Sequence, residues 1–169
     1  ADTIDQLRRR GVAHDVLVVG EGPARDWFEN RLPHAHFVGF QGGADLARAV
    51  ASMDMLFNPS VTETFGNVTL EAMACGLPVV AAKATGSQSL VADNRSGRLV
   101  APGAIGAFAD ALGDYCSDPA LRQAHGAAGE ARSRDFSWDA INQTVADNYL
   151  RLIARRQRGV GPVTDAAIR

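Results

Sequence analysis

Lysine, cysteine and long apolar runs are scarce in this sequence, and each scarcity excludes something. Lys83 is the sole lysine among 17 basic residues, which 19 acids outweigh to a net charge of −2. With no basic excess to hold a polyanion, the chain is not expected to bind nucleic acid. Cys75 and Cys116 are the only cysteines. Neither has a Cys or His neighbour at metal-ligand spacing, so both read as reduced, small hydrophobes of a cytosolic protein. His34 and His36 can share one face of a strand, but no third ligand accompanies them, and no metal site is expected. No apolar run approaches the roughly 18 residues that span a bilayer. The opening ADTIDQLRRRG lacks the basic patch and apolar core of a signal peptide.

What remains is ordinary globular usage, 46% hydrophobic and 21% charged over 169 residues, the length of about one domain. Short apolar runs alternate with helix-length segments. Residues 15–20 (DVLVVG), 35–40, 55–60, 77–82 and 98–100 read as strands. Helices are expected over 3–10 (closed by Gly11), 25–31, 45–52, 67–75 (closed by Gly76), 87–92, 105–117, 121–134 and 138–155. In the last, Trp138, Ile141, Val145, Tyr149 and Leu152 form an apolar stripe. Trp27, Phe28, Trp138, Met53 and Met55 are expected in the core. Residues 1–156 form one domain in this reading, and 157–169 a mobile tail. The cluster Arg151, Arg155, Arg156 and Arg158 either touches anionic lipid or is a solvated helix end. The alternation predicts an α/β fold with a parallel sheet flanked by helices. Ligands of such sheets sit beyond the carboxyl ends of the strands, which singles out the loops 20–23, 39–43, 59–66 and 83–86.

The informative stretch runs PSVTETFGNVTLEAMACGLP from Pro59 to Pro78. A strand stops at Pro59, a polar loop carries Glu63, Gly66 permits close backbone approach, and Asn67 is a natural N-cap. The helix then offers its first amides, around Val68 to Leu70, and the positive end of its dipole, an arrangement that suits phosphate. Glu63 and Glu71 flank that spot. Each carboxylate can accept from a pair of sugar hydroxyls, so a sugar nucleotide would use all three elements. On spacing alone Glu71 is equally a solvated helix acid, and Glu63 an acid that complements the dipole.

Glu63 to Glu71 reads ETFGNVTLE, an E-x7-E pattern, followed by AMACGLPVVA and preceded by FNPS. With VVGEGP (18–23), HFVGF (36–40) and NRSGRLVAPG (94–103), this resembles the C-terminal half of glycosyltransferase family 4, the retaining enzymes of the GT-B fold, over residues 15–150. The resemblance implies a Rossmann-like, donor-binding domain. It implies Glu63 as the catalytic-site acid at the transferred sugar and Glu71 on the ribose hydroxyls. The backbone of Phe65, Gly66, Asn67 and Val68 would meet the diphosphate and sugar. Val38, Gly39 and Phe40, with Gln41, would meet the base, and Gly20 to Gly22 would form a close-approach loop at the pocket floor. It implies a nucleotide-sugar donor, a sugar or lipid acceptor, no metal and no other cofactor. The expected setting is cytoplasmic, either free or peripheral to the inner face of the membrane.

Two departures stand out. The family's Gly-Gly-x-Pro-Glu string is here Thr85-Gly86-Ser87-Gln88-Ser89, with Ser89 in place of the glutamate. The family's first strand of this half is absent, with the Gly-Arg loop and lysine that follow it. Lys83 does not match that position. A doubly wound sheet without this strand is expected to fall into two half-sheets. The acceptor-binding N-terminal domain is absent too, and an isolated fragment is expected to be inactive. In relatives the last helix crosses back to the other domain, so the Trp138–Leu152 stripe is expected to look exposed. A nucleotide-sugar epimerase and a non-catalytic nucleotide-binding module are the alternative readings. Product analysis separates them.

Overall fold

The computed structural model describes residues 1–157, so nearly all of the tail expected over 157–169 lies outside the described residues. The chain divides into two compact units, Ala1–Arg134 and a second beginning at Asp135. In the first unit the order is α1 (Asp2–Arg9), β1 (Leu17–Val18), α2 (Arg25–Arg31), β2 (His36–Phe37), α3 (Gly43–Ala51) and β3 (Leu56–Asn58). There follow α4 (Asn67–Ala74), β4 (Val79–Ala82), α5 (Thr85–Leu90), β5 (Gly97–Val100), α6 (Ile105–Ser117) and α7 (Pro119–Ser133). The second unit's described part is α8 (Trp138–Gln157) after a short 3-10 turn.

The α/β alternation is present, and every strand pair is parallel. The sheet is in two pieces, one of order β1-β2 and one of order β3-β4-β5, and no strand joins β1 to β3 among the described residues. Two half-sheets were expected, and two are present among the described residues. β1 and β2 are two residues each, where six were expected.

β4 is the centre of the larger piece. Its sequence Val79-Val80-Ala81-Ala82 is apolar throughout because both faces are covered. Val80 and Ala82 join a core built from Ile4 and Leu7 of α1, Leu32, Val100, and Phe108, Ala109, Ala111, Leu112 and Tyr115 of α6. Ala72 and Met73 of α4 are fully buried, and α4 packs on α7 so closely that a Cβ on Gly126 would fall 2.0 Å from the Gly76 carbonyl oxygen. Helix ends follow the sequence: Gly11 and Gly76 take positive φ just past α1 and α4, and Asp118 caps α7 by accepting from the Leu121 N–H at 2.9 Å.

Three aromatics depart from expectation. Trp27 is 54% exposed, Phe28 is also exposed, and α2 buries none of its residues. The cause is the lack of cover: α2 packs closely on no other element among the described residues, so nothing encloses its rings. Trp138 is likewise exposed, and so are Ile141, Val145, Tyr149 and Leu152 of the α8 stripe, as the resemblance implied. Met53 and Met55 are half-buried, with Met55 packed against the core.

Candidate functional site

Two groups of loops form at strand ends. After β1 and β2, the Gly20 N–H donates to the Gly39 carbonyl at 2.8 Å, which brings the 20–22 and 38–40 segments together. A Cβ on Gly39 would stand 2.7 Å from Glu21 Oε1, so this crossing is tight. Gly22, Val38 and Phe40 are exposed, and the Gln41 side-chain amide donates to the Val38 carbonyl at 2.7 Å.

After β3 and β4, the 59–66 loop and the start of α5 meet. The Gly86 N–H donates to the Glu63 carbonyl at 3.1 Å. A Cβ there would lie 2.8 Å from the Phe65 carbonyl oxygen and 2.9 Å from that of Glu63, so only glycine allows the approach. Glu63 is half-buried in this loop, while Phe65, Asn67, Val68 and Glu71 are exposed.

The cap of α4 differs from expectation. Asn67 is the first helical residue, and Gly66 is the N-cap, with φ 97° and no side-chain hydrogen bond to the amides. A left-handed cap of this kind is open to glycine at little cost, which is why the residue before Asn67 takes the position. The Leu70 N–H donates to the Gly66 carbonyl at 3.0 Å. The amides left without an acceptor among the described residues are therefore those of Asn67, Val68 and Thr69, one position earlier than expected. They end at an exposed turn, with Glu63 before it and Glu71 one turn into the helix.

Two residues of this region were not singled out from sequence. Asn58, at the end of β3, is buried and donates from Nδ2 to Thr69 Oγ1 at 3.2 Å. Its signal is an amide side chain inside an apolar strand. Gly86 has a weaker signal, a glycine shortly after a buried strand. Among the described residues no group of three or more His, Cys, Asp or Glu is placed to hold a metal ion, and no helix is long and apolar enough to cross a membrane. A groove of about 580 Å³ between α1 and α6 is lined by Arg10, Val12, Ala109, Asp110 and Gly113, and by none of the candidate site residues.

Comparison with known proteins gives the chain a family and a fold. The sequence model of the glycosyl transferases group 1 family covers residues 1–118. The D-inositol 3-phosphate glycosyltransferase of Kribbella flavida is 34% identical over 157 residues, 85% of this chain and 37% of the relative. Sucrose-phosphate synthase from Thermosynechococcus elongatus superposes with a TM-score of 0.77 at 30% identity, over 90% of this chain and 42% of that one. Anabaena HepE in complex with UDP and glucose gives a TM-score of 0.73 at 30% identity, over 88% and 43%. The chain thus spans less than half the length of these relatives, whose fold is that of GT-B glycosyltransferases. By the family match over most of its length, the chain belongs to the glycosyl transferases group 1.

Proposed function

We propose that this chain is the donor-binding domain of a retaining, family 4 glycosyltransferase that moves a hexose from a nucleoside-diphosphate sugar to an acceptor hydroxyl. The observation that carries the reading is the amide turn at Gly66–Thr69, exposed at Asn67 and Val68, with a glutamate on either side. The diphosphate sits on the amides of Asn67, Val68 and Thr69, and Glu71 accepts from the two ribose hydroxyls. The base lies along Val38, Gly39 and Phe40, over the Gly20–Gly22 loop. Glu63 positions the transferred sugar near its anomeric carbon. The HepE structure, which holds UDP and glucose, supports a nucleotide on this fold.

In the transfer the bond from C1 to the diphosphate oxygen breaks, and the acceptor oxygen bonds to C1 on the same face. The acceptor proton passes to the departing phosphate oxygen. Negative charge grows on that oxygen, and donors already aimed at it lower the barrier without reorganising. Glu63 acts by geometry in this scheme, since positioning and charge stabilisation supply most of such a barrier. The acceptor, a sugar or a lipid, binds outside this chain.

The test is Glu71→Ala in the full-length protein, titrated calorimetrically with UDP and GDP. Loss of a hydrogen-bonded carboxylate is expected to weaken the tighter diphosphate by about tenfold or more, and EDTA is expected to leave the wild-type affinity unchanged. Unaltered affinity in the variant would contradict the ribose role, and an EDTA-sensitive affinity would contradict metal-free binding.

A further inference from the structure

Buried amide side chains must be paired, and Asn58 pairs in an informative way. It is the last residue of β3 and is 9% exposed. Its Nδ2 donates to Thr69 Oγ1 at 3.2 Å, and its Oδ1 accepts from the Ser60 N–H, also at 3.2 Å. One side chain thus links three pieces: the strand end, the chain just past Pro59, and the first turn of α4. Thr69 is fully buried and lies against the cap, with its Cβ and Oγ1 each 3.7 Å from where a Gly66 Cβ would stand.

A simple packing contact between β3 and α4 needs no polar pair here. An apolar strand residue would cover Thr69 more cheaply than an amide taken out of water. The pair instead fixes the angle between the strand end and the turn that carries the free amides of Asn67, Val68 and Thr69. Donor groups discriminate only when held to a fraction of an ångström, and that rigidity comes from the hydrogen bonds behind them.

We infer that Asn58 and Thr69 are positioning residues that aim the α4 amides at a diphosphate. The inference rests on the donor-site reading above and goes beyond it by assigning a role to a buried pair whose side chains touch no ligand. It predicts a selective effect. The pair governs the part of the affinity that comes from the phosphates and leaves the nucleoside part alone.

The experiment compares UDP with uridine, and GDP with guanosine, on the full-length protein by calorimetry, with the melting temperature of each sample recorded. Thr69→Val keeps the side-chain shape and removes the hydroxyl; Thr69→Ser keeps the hydroxyl. Thr69→Val is expected to weaken the tighter diphosphate by about fivefold to tenfold and its nucleoside by less than about twofold, with Thr69→Ser near wild type. Should Thr69→Val not fold, Asn58→Ser replaces it, a shorter side chain that loses the contact to Thr69. Equal weakening of diphosphate and nucleoside, or no weakening, overturns the positioning role even if the variant melts earlier. If wild type prefers neither UDP over uridine nor GDP over guanosine, the donor-site reading fails, and this inference falls with it.

Discussion

The β3-β4-β5 half of the first unit and the β1-β2 half are built from similar sequence and reach different ends. In the larger half, β4 has a strand on each side and helices on both faces, and none of its four residues is exposed. In the smaller half, β1 and β2 pair only with each other, and α2 buries nothing. VLVVG is as apolar as LPVVAA, so composition does not make the difference. Neighbours do: apolar strand residues become core only where elements arrive on both sides to cover them. The contrast also bears on function. The amide turn is anchored in the finished half, by Asn58, Thr69 and Gly86, and so sits on the more rigid support.

The largest expected effect breaks the finished half. Gly126→Ala drives a Cβ to within 2.0 Å of the Gly76 backbone oxygen, and no side-chain rotation relieves a clash between backbones. The variant is expected to lose about 3 kcal/mol or more in urea denaturation, and to lose soluble expression if the wild type is marginal. Gly22→Ala is the matched control in the other half. Nothing lies within 4 Å of its Cβ position, and its stability is expected to stay within about 0.5 kcal/mol of wild type. Equal effects at the two positions would erase the distinction between the halves.

The same distinction explains what the sequence made legible. β4 could be placed because four apolar residues between Pro78 and Lys83 suit a strand buried on both faces. Helix α6 was legible to the residue, from Ile105 to Ser117, because its periodicity is clean and its apolar face packs on β4 and β5. The loop that carries Glu63 and the helix that carries Glu71 were legible through Gly66, Gly76 and the Pro59 stop. The burial of Trp27 and Phe28 was misjudged because ring exposure depends on which elements pack against α2, which no local pattern encodes. The α4 cap shifted from Asn67 to Gly66 because a left-handed cap is set by tertiary packing, with Leu90 only 3.3 Å from the Gly66 Cβ position. Asn58 reads as a strand end before proline, and its partner Thr69 lies eleven residues on, beyond local reasoning.

A smaller effect sharpens the comparison by pH. In the finished half, His125 of α7 is buried and shares a hydrogen bond of 2.7 Å with the Tyr115 hydroxyl of α6. Burial lowers the His125 pKa below its ordinary 6.5, and the Arg98 guanidinium of β5 lowers it further. Burial raises the Tyr115 phenol to about 12 against the pull of Arg98, with Asp114 and Asp93 adding to the rise, so it stays protonated. The unfolded chain therefore takes up a proton at His125 at a pH where the folded chain resists it. Stability is fully present above pH 6.5 and is lost as pH falls from there toward the lowered folded value. The urea midpoint is expected to drop between about pH 7.5 and 5, and His125→Gln, which can still bond the Tyr115 hydroxyl, is expected to flatten part of that drop. An equal drop in the variant would remove His125 from the account.

Only a small effect is expected where the unfinished half looks richest. Trp27 and Phe28 meet edge to face, with ring centroids 4.9 Å apart, and Arg31 lies 6.0 Å from the Trp27 ring. Arg31 also donates to Asp2 at 2.7 Å and to Asp5 at 3.0 Å, which ties α2 to α1. Those exposed ion pairs are worth little each, because water screens them. Trp27→Ala removes one edge-to-face contact and some half-wet surface, so it is expected to cost about 1 kcal/mol. Leu7→Ala, at a core position 2% exposed, is expected to cost about 3 kcal/mol. Urea denaturation of both variants reads the ratio directly. If Trp27→Ala costs as much as Leu7→Ala, then the α2 face is covered in solution. The difference between the halves would then lie in what is packed on β1 and β2 and not in the strands themselves.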